Sequence, residues 1–213
     1  MTGKGLIPVN LEIPLATVAF LLLCFLMPTS LPSSEEDRKR WDVKYSTPDY
    51  IFGTAPVKFL KDHIRSLPGG RALDVAMGEG RNAVYLAQMG YEVDGIDISK
   101  PAVEKAVARA KSLKVRINGI VADLEDYKIP PRTYNVIAVF YYLQRSLIPQ
   151  IMEGLKPGGV VIYETYTVDY LKKGAMKREY LLEHNELPRL FPGFEILYYK
   201  EDKATAGLIA RKP

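Results

Sequence analysis

Cysteine is almost missing. The chain has 213 residues and one cysteine, Cys24. No disulfide can form within it, and a zinc site built on several cysteines is excluded. Histidine is scarce too, with two residues, His63 and His184. An excess of one charge is lacking: 29 basic against 25 acidic side chains leave a net +4, and the run Arg38-Lys39-Arg40 is not exceeded anywhere. That balance is too weak to make nucleic acid the main partner. Internal repeats and low-complexity tracts are absent as well. The length allows one α/β domain with a sizeable core, plus an appendage.

Charge is nearly absent from residues 1–34, where Lys4 and Glu12 are the only ionised side chains. Leu15 to Met27 is apolar except for Thr17. As a helix rising ~1.5 Å per residue it spans roughly 20 Å, short of a bilayer core of about 30 Å. Stretched over 13–31 it nearly reaches, but takes in Pro14 and Pro28. Residues 1–34 therefore read as an apolar leader. One reading is a membrane anchor holding the rest on the cytoplasmic side, since Arg38, Lys39, Arg40 and Lys44 outweigh Lys4. Another is an over-extended start, with the protein proper beginning nearer Trp41. A signal peptide fits the length, but Pro28-Thr-Ser30 is not a small-x-small cleavage site. The expected location is cytoplasmic, with attachment to a membrane face through residues 13–31.

The domain, expected over 35–213, is organised around Arg71 to Pro101. Ala72-Leu-Asp-Val-Ala76 reads as a buried parallel strand. Met77-Gly78-Glu79-Gly80 is a turn whose glycines let backbone N–H groups approach a ligand. Asn82 to Met89 reads as a helix capped by Gly90, and Tyr91 to Ile96 as a second strand ending at Asp97. A glycine turn at a strand's carboxyl end, opening a helix, offers donors and positive dipole potential. Asp97 stands 19 residues after Gly78, near the ~20 expected of an acid that accepts both ribose hydroxyls. Two cofactor classes fit this frame. Gly78-x-Gly80-x-x-Ala83 matches a dinucleotide pattern. Asp74, at the loop entrance, would repel a pyrophosphate but suit the ammonium end of S-adenosylmethionine.

At this stretch the chain resembles the class I S-adenosylmethionine-dependent methyltransferases. Their first motif, D-x-G-x-G-x-G, stands here as Asp74-Val-Ala-Met-Gly-Glu-Gly80, with Ala76 in place of the first glycine. Gly78-Glu-Gly-Arg-Asn-Ala-Val-Tyr-Leu-Ala87, followed by Gly90-Tyr-Glu-Val93, is similar to the branch with tellurite-resistance and thiol methyltransferases. The resemblance covers Trp41 to Pro213. It implies a doubly wound, seven-stranded, mostly parallel α/β sheet with a C-terminal antiparallel hairpin. It also implies S-adenosylmethionine as cofactor, a small-molecule acceptor such as a thiol or chalcogen oxyanion, and no metal. The cofactor set it implies is Asp74, Ala76, Gly78, Gly80, Arg81, Asn82, Asp97, Ile98, Asp123, Leu124, Phe140 and Tyr45. Asp123, closing the third strand, is the expected adenine contact.

The remaining segments are placed around that unit. Aromatics interleaved with Ser, Pro and Gly over 41–56 read as a lid, neither helix nor strand, and a sulfonium is attracted to aromatic faces such as Tyr45, Tyr50 and Phe52. Val57 to Leu67 reads as an amphipathic helix carrying His63 at the surface. Ser99 is a cap for a helix over Ala102 to Lys111. Val115–Val121, Tyr134–Val139 and Val160–Thr165 read as strands. Ser146–Leu155 reads as a helix ended by the turn Lys156-Pro-Gly-Gly159. Phe194–Lys200 and Gly207–Ala210 read as the hairpin. Phe140-Tyr-Tyr-Leu-Gln-Arg-Ser146 and Glu164 lie at strand ends, where such folds carry their chemistry. Tyr141, Arg145 and Glu164 are the catalytic candidates: Glu164 as base or acceptor contact, Arg145 as anion holder or as one half of a surface ion pair. His184 is a further base candidate. The string Asn/Asp-Pro-Pro-Tyr, which the family's nucleic-acid and protein amine methyltransferases carry after the fourth strand, is missing here. Two other functions stay open: an NAD(P)-dependent oxidoreductase, against which Asp74 argues, and a non-catalytic, membrane-tethered binding module.

Overall fold

The computed structural model describes residues 33–172 and 176–213. All but the end of the apolar leader lies outside them. Among the described residues no helix is long and apolar enough to cross a membrane.

Seven strands build one sheet: β1 (Arg71–Val75), β2 (Glu92–Asp97), β3 (Asn118–Val121), β4 (Tyr134–Phe140), β5 (Leu155–Tyr166), β6 (Glu195–Asp202) and β7 (Thr205–Arg211). Their order is β3-β2-β1-β4-β5-β7-β6. β1 to β5 run parallel, and β7 enters antiparallel between β5 and β6. This is the doubly wound sheet with a terminal hairpin expected from the sequence. Its strand order reverses beside β1, which places a crevice at the carboxyl ends of β1 and β4.

The two faces follow from the period-2 alternation of strand side chains. Leu73, Val75, Ile137, Val139, Val161 and Tyr163 pack to one face, under α5 (Ile148–Gly154) and α6 (Glu186–Arg189). Ala72, Val136, Ala138, Val160 and Ile162 pack to the other, under α2 (Lys58–His63), α3 (Arg81–Gln88) and α4 (Lys100–Ser112). Burying both faces explains why the central strands read as continuous apolar runs.

Three expectations are corrected. Residues 41–45 are helical, as the end of α1 (Ser33–Tyr45). No breaker interrupts the run before Ser46-Thr47-Pro48, acids Glu35 and Glu36 occupy its first turn, and Trp41 stacks on Tyr45 one turn on, at 5.4 Å. The helix over 57–67 tightens after His63 into a 3₁₀ turn, Ile64–Ser66. The turn Lys156–Gly159 lies inside β5, as an irregularity where pairing steps from Tyr134↔Leu155 to Val136↔Val160. Gly158 takes a positive φ of 74° there, which glycine adopts without steric cost.

Candidate functional site

The glycine turn is wound inward. The Gly78 N–H donates to Asp97 Oδ2 at 2.8 Å, and the Gly80 N–H donates to the Met77 carbonyl at 3.0 Å. Both donors expected to face a ligand are thus already engaged. Gly80 serves packing: a Cβ there would sit 2.5 Å from Ala106 Cβ on α4, and its φ is +76°. Gly80 lies outside the cavity lining. Ala76, where the motif has glycine, adopts a φ of 53°, a left-handed conformation costing roughly 1–2 kcal/mol for a residue with a side chain.

Beyond this turn lies a cavity of about 630 Å³. The ends of β1 and β2 supply Ala76, Gly78, Asp97 and Ile98; the turn after β3 supplies Asp123, Leu124 and Glu125. α3 brings Arg81 and Asn82, and the end of β4 brings Phe140, Tyr141 and Tyr142. α1 closes the cavity with Trp41, Lys44 and Tyr45. Asp97 is buried and accepts N–H groups through both oxygens, from Gly78 and from Ser99 at 2.9 Å. Burial pushes its carboxyl up to about 6, against the pull of those N–H groups. Asp123 holds the Glu125 N–H at 2.9 Å.

Asp74 lies beneath the turn and outside the cavity lining, 1% exposed, with Oδ2 lacking any hydrogen-bond partner among the described residues. Burial pushes its carboxyl up to about 7, offset in part by the Ala83 N–H and the Arg81 charge.

The lid segment is tied to the turn and to α4. Glu79 is buried; it accepts the Ile51 N–H at 2.9 Å and the Lys105 ammonium at 2.8 Å. Asn82 Oδ1 accepts the Val57 N–H at 2.9 Å. Ser99, expected as a cap by its hydroxyl, donates that hydroxyl to Asp42 Oδ1 on α1 at 2.7 Å. Its backbone carbonyl still accepts the first bond of α4. Nothing in the spacing of Glu79 or Asp42 marked these ties in the sequence.

The opposite end of the cavity is aromatic. Tyr141 takes a φ of 57°. Its N–H donates to the Glu164 carbonyl at 2.8 Å and its hydroxyl to Glu164 Oε1 at 2.9 Å. That two-point hold over-determines a strained backbone. Glu164 stands behind Tyr141, outside the lining itself; burial raises its pKa, while the Tyr141 hydroxyl and Arg81 lower it. Tyr166 and Tyr170 extend the wall, with ring centroids at 5.0 Å from Tyr141 to Tyr166 and 4.1 Å from Tyr166 to Tyr170. Tyr170 sits in a 3₁₀ turn, Val168–Lys172, and no periodicity pointed to it.

Arg145 is not brought to the cavity. Its guanidinium binds Glu186 through two nitrogens, at 2.6 and 2.9 Å, and the Glu179 and Leu181 carbonyls. It pins the segment before α6 and is spent there. His184 meets Glu201 and Asp169 at the surface, also away from the cavity. A second concavity of about 650 Å³ lies at the amino ends of β1 to β3, beside Asp94; that carboxylate is engaged by Arg71, Tyr134 and Asn118.

Comparison with known proteins fits this geometry. Residues 72–159 match a family model described as a methyltransferase domain. The solved structure of TehB from Haemophilus influenzae superposes with a TM-score of 0.69 at 20% identity, covering 76% of this chain and 64% of that one. The fold is that of the class I methyltransferases. Among curated proteins, hemagglutinin 1 of Eikenella corrodens is 25% identical over 154 residues, 67% of this chain and 49% of that protein. Ubiquinone biosynthesis O-methyltransferase of Rickettsia canadensis is 27% identical over 135 residues, 59% of this chain and 56% of its own length. The chain thus spans about half the length of these relatives.

Proposed function

We propose that the chain is an S-adenosylmethionine-dependent methyltransferase acting on a small-molecule nucleophile. One observation carries the reading. Asp97 and Asp123, at the ends of adjacent strands, face the same cavity beside Gly78, while the N–H groups of Gly78 and Gly80 are bound within the protein. A pyrophosphate needs those donors; a nucleoside needs the carboxylates. The residues fit the cofactor chemically: Asp97 accepts ribose hydroxyls, Asp123 accepts the adenine amine, Ile98 and Leu124 give the base apolar contact, and the buried, unpartnered Oδ2 of Asp74 supplies negative potential beneath the turn. The bound cofactor supplies a methyl carbon already activated by its sulfonium. The protein's share is alignment of the nucleophile and exclusion of water, here by α1 and the aromatic wall. Glu164, behind Tyr141, takes the proton of an acceptor that needs deprotonation by way of the Tyr141 hydroxyl that donates to it; a thiolate does not need it.

Calorimetry with S-adenosylhomocysteine and with NAD tests the cofactor. Binding of the first and no heat with the second is expected; tight NAD binding alone would sink the assignment. Radiolabelled methyl transfer to a panel of thiols, phenols, amines and chalcogen oxyanions tests turnover.

A further inference from the structure

The charges lining the cavity are divided. Asp97, Asp123 and Glu125 lie at the β2–β3 end, with no basic group within 4.0 Å among the described residues. Elsewhere in the lining Asp37 is paired with Arg40 and Glu79 with Lys105. Arg81 and Lys44 have no carboxylate that close among the described residues; Lys44 lies over the Trp41 and Phe52 rings, and Arg81 donates to the Phe52 carbonyl at 3.1 Å with its guanidinium carbon 5.6 Å from the Tyr141 ring. Behind Arg81 the tyrosines 141, 166 and 170 form a continuous series of rings. The rings pack on one another and so turn their edges to the cavity; positive ring edges with cations beside them recognise a flat ring that carries negative charge.

We propose that the acceptor subsite takes a planar aromatic compound bearing an acidic O–H or S–H. The ring lies against the edges of Tyr141, Tyr166 and Tyr170, and Arg81 favours its ionised form. The proposal rests on the methyltransferase reading. In the transfer the aryl oxygen or sulfur bonds to the methyl carbon and the carbon–sulfonium bond breaks. Its electron pair stays on sulfur as a neutral thioether, and the acceptor's proton passes to Glu164 or to solvent.

The test uses the full chain loaded with S-adenosylhomocysteine, whose affinity is measured first. Loss of that binding refutes the methyltransferase reading and the acceptor proposal with it. Given a loaded protein, thiophenol and cyclohexanethiol are compared by calorimetry and by quenching of Trp41, the chain's one tryptophan and a cavity residue. Thiophenol is expected to bind about tenfold more tightly, since it alone makes aromatic ring contacts with the tyrosines. Tyr166→Leu and Tyr170→Leu are each expected to erase most of that preference while S-adenosylhomocysteine affinity stays unchanged. The ionisation of bound 4-nitrophenol, read from its phenolate absorbance, should shift to lower pH, and Arg81→Met should abolish the shift. Equal affinity for the saturated ring, a preference indifferent to both tyrosines, or 4-nitrophenol bound neutral would overturn the acceptor assignment while leaving the methyltransferase reading intact.

Discussion

The Tyr45 hydroxyl stands where a side chain on Gly78 would go: a Cβ built there lies 2.8 Å from the Tyr45 oxygen. α1 therefore seats directly on the glycine turn, and the turn requires glycine for two reasons, this contact and a φ of +56°. Gly78→Ala should cost about 1–2 kcal/mol from the backbone alone, with a further loss from displacing Tyr45. Tyr45→Phe removes the offending oxygen. The double variant should recover part of the melting temperature lost by Gly78→Ala but not the backbone share. Additive losses would mean that the two residues do not touch in solution.

Asp97 has two duties. Its oxygens hold the turn through Gly78 and Ser99, and the same carboxylate faces the cavity. Asp97→Ala should weaken S-adenosylhomocysteine binding by about 1.5–3 kcal/mol, the scale of hydrogen bonds to a charged acceptor, and lower stability as well. The ionised form is the competent one, so affinity should fall as pH drops through about 6. A flat pH profile by calorimetry would place the ribose contact elsewhere.

The buried pair Asp74 and Asp97 fixes the sign of the pH dependence of stability. Both carboxyls are raised in the folded protein, to about 7 and about 6, from 3.8. Folding then binds protons, so this contribution is full below about 4 and is lost as pH rises through 6 and 7. The apoprotein should melt higher at mildly acidic than at mildly alkaline pH. Asp74→Asn should remove the upper part of that slope, on the order of 2–4 kcal/mol. If its pH profile matches the parent, Asp74 is not the group responsible.

Much of this was legible in the sequence, and the reasons differ by feature. The ends of β1 and β2 follow from buried apolar runs and a glycine-capped helix, signals local to about thirty residues, whereas the order of the whole sheet was what the resemblance implied. Asp97 and Asp123 were legible because strand ends in such a sheet converge on one crevice. Of the two readings of Arg145 the ion pair is the one seen: proximity to the end of β4 is a sequence fact, but its direction is decided by Glu186, 41 residues away. Gly80 was misassigned for a similar reason, since its neighbour Ala106 belongs to α4. Tyr170 and Glu79 act through tertiary contacts that leave no period. The helix ending at Tyr45 was hidden because aromatics beside Ser and Pro read as irregular, whereas the Trp41–Tyr45 stack has helical spacing.

Arg145→Met should therefore leave S-adenosylhomocysteine affinity unchanged and lower stability by about 1–3 kcal/mol. That is the range for a hydrogen-bonded ion pair only partly shielded from solvent. A tenfold loss of cofactor affinity with the melting temperature intact would return Arg145 to the site.

Glu164 gives the sharpest division between acceptor chemistries. Its half-buried carboxyl is raised above the usual carboxylate value, and it holds Tyr141 by hydroxyl and backbone alike. For phenols and alcohols, Glu164→Gln should lower turnover by about 100-fold, the scale of one general base. The acidic limb of kcat/KM should vanish with it. For thiols, which reach the anion unaided, the same variant should retain most of its rate. Tyr141→Phe is the control: it keeps the carboxylate but removes the hydroxyl that links it to the cavity, so phenol turnover should fall with it. If Glu164→Gln slows thiols and phenols equally, the carboxylate acts by holding Tyr141 in its left-handed conformation, and proton transfer is not its role.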